Sequence, residues 1–193
     1  KVQTIITTLK SRSHNEIVVD KLQYYIKYLK KGEYFFQDVY GEVPFYVEID
    51  KNQEQLAYLP ISIYFVSESE YQLKVNFENS SVSTFLYAAN QTDKANVQTG
   101  EFIKKYKVGE KVNLPFLNLK LFILPDAGFY KGNEYFIRFN DFDGTVARYK
   151  AITVDADVKA GSIIRLALQG TNKERLVDYL NTTVKVLKKK QLD

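Results

Sequence analysis

From Tyr34 to Gln169 the chain alternates apolar and polar residues with a period of two, and this restricts most of it to β-strands. Phe45, Val47 and Ile49 alternate with Tyr46 and Glu48. Ile61, Ile63 and Phe65 repeat the pattern after Pro60, and Tyr71, Leu73, Val75 and Phe77 alternate with Gln72, Lys74 and Asn76. Successive strand side chains point to opposite faces, so each run offers one face to a core and one to water. Further strands are expected at Val82–Tyr87, Phe102–Val108, Phe116–Leu124, Glu134–Asn140, Thr145–Val154 and Ser162–Gln169. Polar punctuation separates them at Ala89–Gly100, Lys107–Lys111 and Pro125–Asn133. The 15 Tyr and 13 Phe suit half-buried pleated surfaces.

Helical periodicity brackets this region. Val18, Leu22, Tyr25, Ile26 and Leu29 recur at spacings of three and four, and Ile5 and Leu9 extend the stripe backwards. The Ser11-Arg12-Ser13 step kinks this helix or separates two. Lys30 and Lys31 would fill its last turn, with Gly32 as the stop. At the other end Thr171 and Glu174 have the spacing of a capping box, followed by a stripe of Leu176, Val177, Leu180, Val184 and Leu187. No Gly, Pro or Asn stops this helix before Asp193. With a start at Lys1, this leads to the expectation that the chain is a piece of a longer protein, with targeting or membrane segments outside it.

The chain has 193 residues, of which 45% are hydrophobic and 26% charged, a soluble globular composition able to bury a core. No stretch approaches a membrane span; the longest apolar segment, Leu114 to Leu124, is interrupted by Pro115, Asn118 and Lys120. With no Cys, thiol nucleophiles, disulfides and cysteine metal sites are excluded. The net charge of +4 is scattered, which argues against nucleic acid. The one dense basic run, Lys185, Lys188, Lys189 and Lys190, closes the last helix, where cations complement the macrodipole.

Few motifs could carry chemistry. Asp141-Phe142-Asp143-Gly144-Thr145 after an apolar strand resembles the first motif of the haloacid-dehalogenase phosphatases, with Asp141 as nucleophile, Asp143 handling protons and Mg²⁺ neutralising charge. That motif opens its fold, whereas here too little chain follows it. The preferred reading is a hairpin turn at Asp143-Gly144 between two strands. A calcium loop starting at Asp141 fails because its twelfth position is Ile152. His14, the one histidine, reads as a surface helix residue. There is no phosphate-binding Gly-x-x-x-x-Gly-Lys-Ser/Thr loop, and no spacing singles out a carboxylate pair. The sequons at Asn79, Asn90 and Asn181 are explained by chance. No catalytic, metal-ligating or cofactor-binding residue is assigned, and no cofactor is expected.

Two segments carry a resemblance. The first is Ile5-Ile6-Thr7-Thr8-Leu9-Lys10-Ser11-Arg12-Ser13 with Val18-Val19-Asp20-Lys21-Leu22. The second is Gly161-Ser162-Ile163-Ile164-Arg165-Leu166-Ala167-Leu168-Gln169-Gly170-Thr171-Asn172, running on to Leu180-Asn181 and Leu187. Together they resemble the two ends of the extracytoplasmic domain of Wzz-type polysaccharide chain-length determinants (polysaccharide co-polymerases). The Pro usual before that family's last helix is absent, with Lys173 near its place. The resemblance implies a parent anchored in the bacterial inner membrane by flanking helices and exposed on its periplasmic face. It further implies a homo-oligomer working with polysaccharide polymerase or export machinery, with contact to the polymer. Some members carry a cytoplasmic tyrosine autokinase; none has an established catalytic residue in this domain.

The expected architecture is α+β: a mixed or mostly antiparallel sheet covered by the N- and C-terminal helices. Residues 1–79 and 141–193 form the core of a single domain, and residues 80–140 an inserted β subdomain. The expected function is scaffolding in chain-length control and export of capsule, exopolysaccharide or O-antigen. The alternatives are a stand-alone β-rich carbohydrate-binding module and a Mg-dependent phosphatase using Asp141 and Asp143.

Overall fold

Gln23 ends the helical start of the chain earlier than its apolar stripe suggests. Its φ of +51° is left-handed, and the N–H groups of Gln23 and Tyr24 return to the carbonyls of Asp20 and Val19. The computed structural model describes residues 1–157 and 163–192. In it the first thirty residues form α1 (Val2–Lys10), α2 (Arg12–Leu22) and a strand, β1 (Ile26–Lys31). Ser11 separates the helices and caps the second, its side chain accepting from the His14 N–H. The helix expected to reach Gly32 is thus corrected. Ile26 and Leu29 match a helical spacing, but their backbone pairs in a β-ladder, Ile26 opposite Phe139 and Leu29 opposite Phe136.

The described chain forms two compact units, one from Lys1–Tyr25 with Phe142–Asp193, the other from Ile26–Asp141. The residues 80–140 set apart in the sequence lie within the second.

The second unit is all β. After β1 come β2 (Phe36–Asp38), β3 (Phe45–Ile49), β4 (Gln55–Leu56), β5 (Ile61–Phe65), β6 (Glu70–Phe77), β7 (Ser81–Leu86), β8 (Gln91–Asn96), β9 (Gly100–Lys107), β10 (Val112–Leu114), β11 (Leu117–Ile123) and β12 (Glu134–Phe139). They build a six-stranded sheet in the order β2-β1-β12-β5-β6-β9 and two three-stranded sheets, β10-β11-β3 and β4-β7-β8. All these ladders are antiparallel. Ile61, Ile63, Phe65, Leu73, Ile137 and Phe139 are buried on the six-stranded sheet, and Phe45, Val47, Leu117 and Leu121 on the β3–β11 pair. Phe45 packs edge-on against Phe65 at 5.6 Å, so the two sheets face each other as a sandwich. The edge strand β9 exposes Lys104, Lys105 and Lys107, charges that discourage pairing with another chain.

The first unit holds α1, α2, α3 (Phe142–Lys150), β13 (Thr153–Asp157), β14 (Ile163–Ala167) and α4 (Lys173–Leu192). β13 and β14 pair as an antiparallel hairpin. Gly161, Ser162 and Asp193 of the segments read in the sequence lie outside the described residues.

The expected α+β layer, one sheet under the terminal helices, is overturned. The protein is β-rich, with several antiparallel sheets among the described residues. The large sheet's apolar face is met by other strands, while the helices spend theirs on one another, α2 packing on α3 and α4. The strand and hairpin expected around Asp143-Gly144 are also corrected. Residues 142–150 are helical, with Thr145, Val146 and Tyr149 buried, Asp143 in the first turn and Arg148 and Lys150 in the last, each charge set to complement the helix dipole. Residues 91–96, read as punctuation, form β8, a strand mostly exposed and therefore without an apolar alternation.

Candidate functional site

In the second unit, Phe77 ends β6, Phe102 lies near the start of β9, and Phe116 sits in the turn between β10 and β11. Phe116 packs edge-on against both others, at 5.0 Å from Phe77 and 5.3 Å from Phe102. The three rings form the floor of an open cleft of about 440 Å³, the size range of small-ligand sites. Leu114 and Pro115 extend the apolar wall, and Asn96, Gln98, Thr99 and Glu101 form a polar rim. Register fixes this rim, because Phe77 stands opposite Gly100 and Asn76 opposite Glu101 across β6–β9. Gly100, at φ +108°, takes a backbone conformation that L side chains rarely adopt and lets the chain turn into β9 beside the rings.

Phe77 and Phe116 are almost fully buried, so Phe102, Leu114 and Pro115 supply most of the apolar surface; with amide and hydroxyl groups beside it, this suits a sugar, which has an apolar ring face and a polar edge. The lining residues offer a single carboxylate, Glu101, and no histidine, so the acid–base pair of glycoside hydrolysis is not assembled there. A second depression, about 390 Å³, is lined by Glu48, Asp50, Lys51, Lys111 and Lys120. Its charges are of both signs.

In the first unit the chemistry-bearing groups are structural. His14 is fully buried, which corrects its reading as a surface residue. Lys190 Nζ lies 3.3 Å from Nδ1 and can only donate, so Nδ1 accepts and Nε2 carries the proton, donating to Thr183 Oγ1 at 2.7 Å. Burial first, and the Lys190 charge second, lower the His14 pKa to about 4. Asn15 Nδ2 donates to the carbonyls of Leu9 (3.0 Å) and Ser11 (2.8 Å), while its Oδ1 accepts from the Tyr179 hydroxyl. Tyr24 donates to the Arg175 carbonyl at 2.6 Å, and the Arg175 guanidinium lies over the Tyr24 ring at 4.6 Å. The buried line of α4 is therefore Arg175, Tyr179, Thr183 and Val186, rotated from the apolar stripe read in the sequence; Val177 is 44% exposed. Asn172, with its side chain accepting from the Arg175 N–H at 2.9 Å, performs the capping expected of Thr171.

The phosphatase pair is tied up. Asp141 accepts from the Tyr58 hydroxyl at 2.8 Å, and Asp143 is ion-paired with Arg12. Ile152, the twelfth position of the calcium reading, is buried. Among the described residues, no group of three or more His, Asp or Glu is arranged to hold a metal, and no helix is long and apolar enough to cross a membrane. The cleft was missed in the sequence because Phe77 and Phe102 sit at ordinary strand positions and Phe116, expected to start a strand, lies in a turn; the one available signal was Pro115 before it.

Compared with models of known protein families and with curated protein sequences, the chain matches neither.

Proposed function

We propose that this chain is the extracytoplasmic scaffold of an inner-membrane protein of the Wzz type. It would act at the periplasmic face, as a homo-oligomer beside polysaccharide polymerase or export machinery, in setting polymer length. One observation carries the reading. The two segments that resemble the family lie far apart in sequence, yet their described residues fall in one compact unit. There Asn15 and His14, which lie between the two stretches of the first segment, meet Tyr179 and Thr183 on the helix that continues the second. On this reading the phenylalanine-floored cleft is a weak contact for the polymer. Removing the chain from its parent protein and resolving the surface polysaccharide by gel electrophoresis tests the reading. A loss of the defined length distribution is expected, and an unchanged distribution would end it.

The cleft itself favours a second reading, a carbohydrate-binding module with no part in length control. The same deletion separates the two when joined to a titration with oligosaccharides followed by NMR. Sugar binding that shifts signals of the cleft residues, with polymer length untouched by the deletion, selects the module.

A further inference from the structure

We infer that one end of the six-stranded sheet is a lipid-contacting tip, which inserts Tyr34, Phe35 and Phe129 into the interface of a zwitterionic phospholipid bilayer. This stands apart from the scaffold reading and would hold or fail without it. The three side chains are 86%, 72% and 80% exposed, the most exposed aromatic groups described. Isolated apolar side chains on a surface are ordinary, but three large rings at one place are not.

Register brings them together. β1 runs antiparallel to both β2 and β12, with Lys31 opposite Phe36 and Leu29 opposite Phe136. The β1–β2 hairpin tip, residues 32–35, therefore projects from the end of the sheet where β12 begins. The loop leading into β12, residues 125–133, reaches that same end. Its Gly132 N–H bonds the Phe65 carbonyl at 2.7 Å, and the Phe65 N–H bonds the Asn133 carbonyl at 3.1 Å. Both projections are held from below. Gly32 N–H bonds the Phe35 carbonyl at 3.0 Å, and a Cβ at Gly32 would stand 2.7 Å from that oxygen, so this turn needs glycine. Tyr130 points inward, its ring 5.0 Å from Phe65 and its hydroxyl donating to the Glu68 carbonyl at 2.6 Å. Its neighbour Phe129 is left pointing out.

The chemistry favours lipid over a protein partner. Protein hot spots sit in packed, desolvated pockets, whereas these rings are 72% to 86% exposed on the turn and loop that carry them. A bilayer interface needs no shape match; Tyr collects at its headgroup level, and Phe serves as an apolar anchor at the acyl boundary. The charges beside the rings are balanced, Lys30, Lys31 and Lys131 against Glu33, Glu68 and Asp126, all exposed. Such a mixture complements a headgroup holding both phosphate and amine, and gives no strong preference for an anionic surface.

The protein has no Trp, so Phe129→Trp adds a single reporter at an exposed position. On titration with phosphatidylcholine–phosphatidylethanolamine vesicles, its emission should shift to the blue and be quenched by brominated acyl chains. Tyr34→Ser combined with Phe35→Ser should weaken vesicle co-sedimentation about tenfold, the loss expected from partly burying two rings. Tyr46→Ser, on a sheet face, should leave it unchanged. Circular dichroism establishes that each variant is folded. Emission that does not move at saturating lipid overturns the proposal. So does binding that requires phosphatidylglycerol and vanishes with salt, or binding that survives loss of the rings.

Discussion

The two units hold themselves together by different means. The second is a sandwich whose strands bury alternate apolar side chains, with Ile61, Ile63, Phe65, Leu73 and Ile137 fully shielded from water. The first, much smaller in apolar core, packs Leu9, Val18, Val19, Val146 and Ile152 together with a set of buried polar side chains that link its helices. His14, Asn15, Arg175 and Thr183 are buried there, His14 bonded to Thr183, Asn15 to Tyr179 and to the carbonyls of Leu9 and Ser11, and Arg175 lying over the Tyr24 ring, beside the stacked rings of Tyr149 and Tyr179. A dry apolar core tolerates substitutions that keep volume. A buried polar network tolerates only those that keep every partner satisfied.

That contrast can be broken or sharpened by experiment. The largest effect is expected from Leu73→Ala in β6, which leaves a cavity in the sandwich and should cost about 4 kcal/mol, read by guanidinium unfolding. Asn15→Ala should cost about 3 kcal/mol, because the Leu9 and Ser11 carbonyls and the Tyr179 hydroxyl all lose their partner. Asn15→Leu has similar volume and should be no better; if it restores stability, the first unit is an apolar core after all. A third difference is in pH. His14 is neutral in the folded state down to about pH 4 but takes up a proton near 6.5 when unfolded. Stability from this group is therefore complete above pH 6.5 and falls as pH drops to about 4, by at most about 1.4 kcal/mol per pH unit. Subtracting the melting profile of His14→Gln from that of the unaltered protein should isolate this slope; parallel profiles would show that the site does not exclude the proton. The smallest effect is expected at Val177. Being 44% exposed, its change to Ser should stay within about 0.5 kcal/mol, whereas the stripe read from the sequence would demand a much larger loss.

The same contrast explains what could be read in advance. The strands at 45–49, 61–65, 70–77 and 134–139 follow from alternation, because in the sandwich burial and hydrophobicity coincide. In the first unit they coincide at Leu9, Val18, Val19 and Val146 but not along α4. Histidine, asparagine, arginine and threonine occupy core positions, so the stripe read on α4 lies one residue off the buried line, with Leu176, Leu180, Val184 and Leu187 half-buried and Val177 exposed. Gln23 in a left-handed conformation gave no composition signal for the end of α2, and Asp143-Gly144, a turn pair by composition, sits in the first turn of a helix. Of the candidate site, Phe77 and Phe102 were legible as strand residues, while Phe116, expected to start a strand, lies in a turn. Their meeting around Phe116 depends on which strands pair, and a single strand does not encode that.

The pairing of Ile26 with Phe139 also bears on how the chain assembles. The first unit is made from two stretches separated by the whole of residues 26–141, and closing an open loop of that length costs about 4 kcal/mol of chain entropy. Once the sandwich has formed, its first and last strands lie side by side. Tyr25 and Phe142, which contact each other at 6.1 Å, are then delivered as neighbours. The inserted sandwich would act as a clasp that brings two distant ends within reach. The expected order is that the sandwich forms first, and that α1 and α2, although they precede it in the sequence, close with α3 and α4 afterwards.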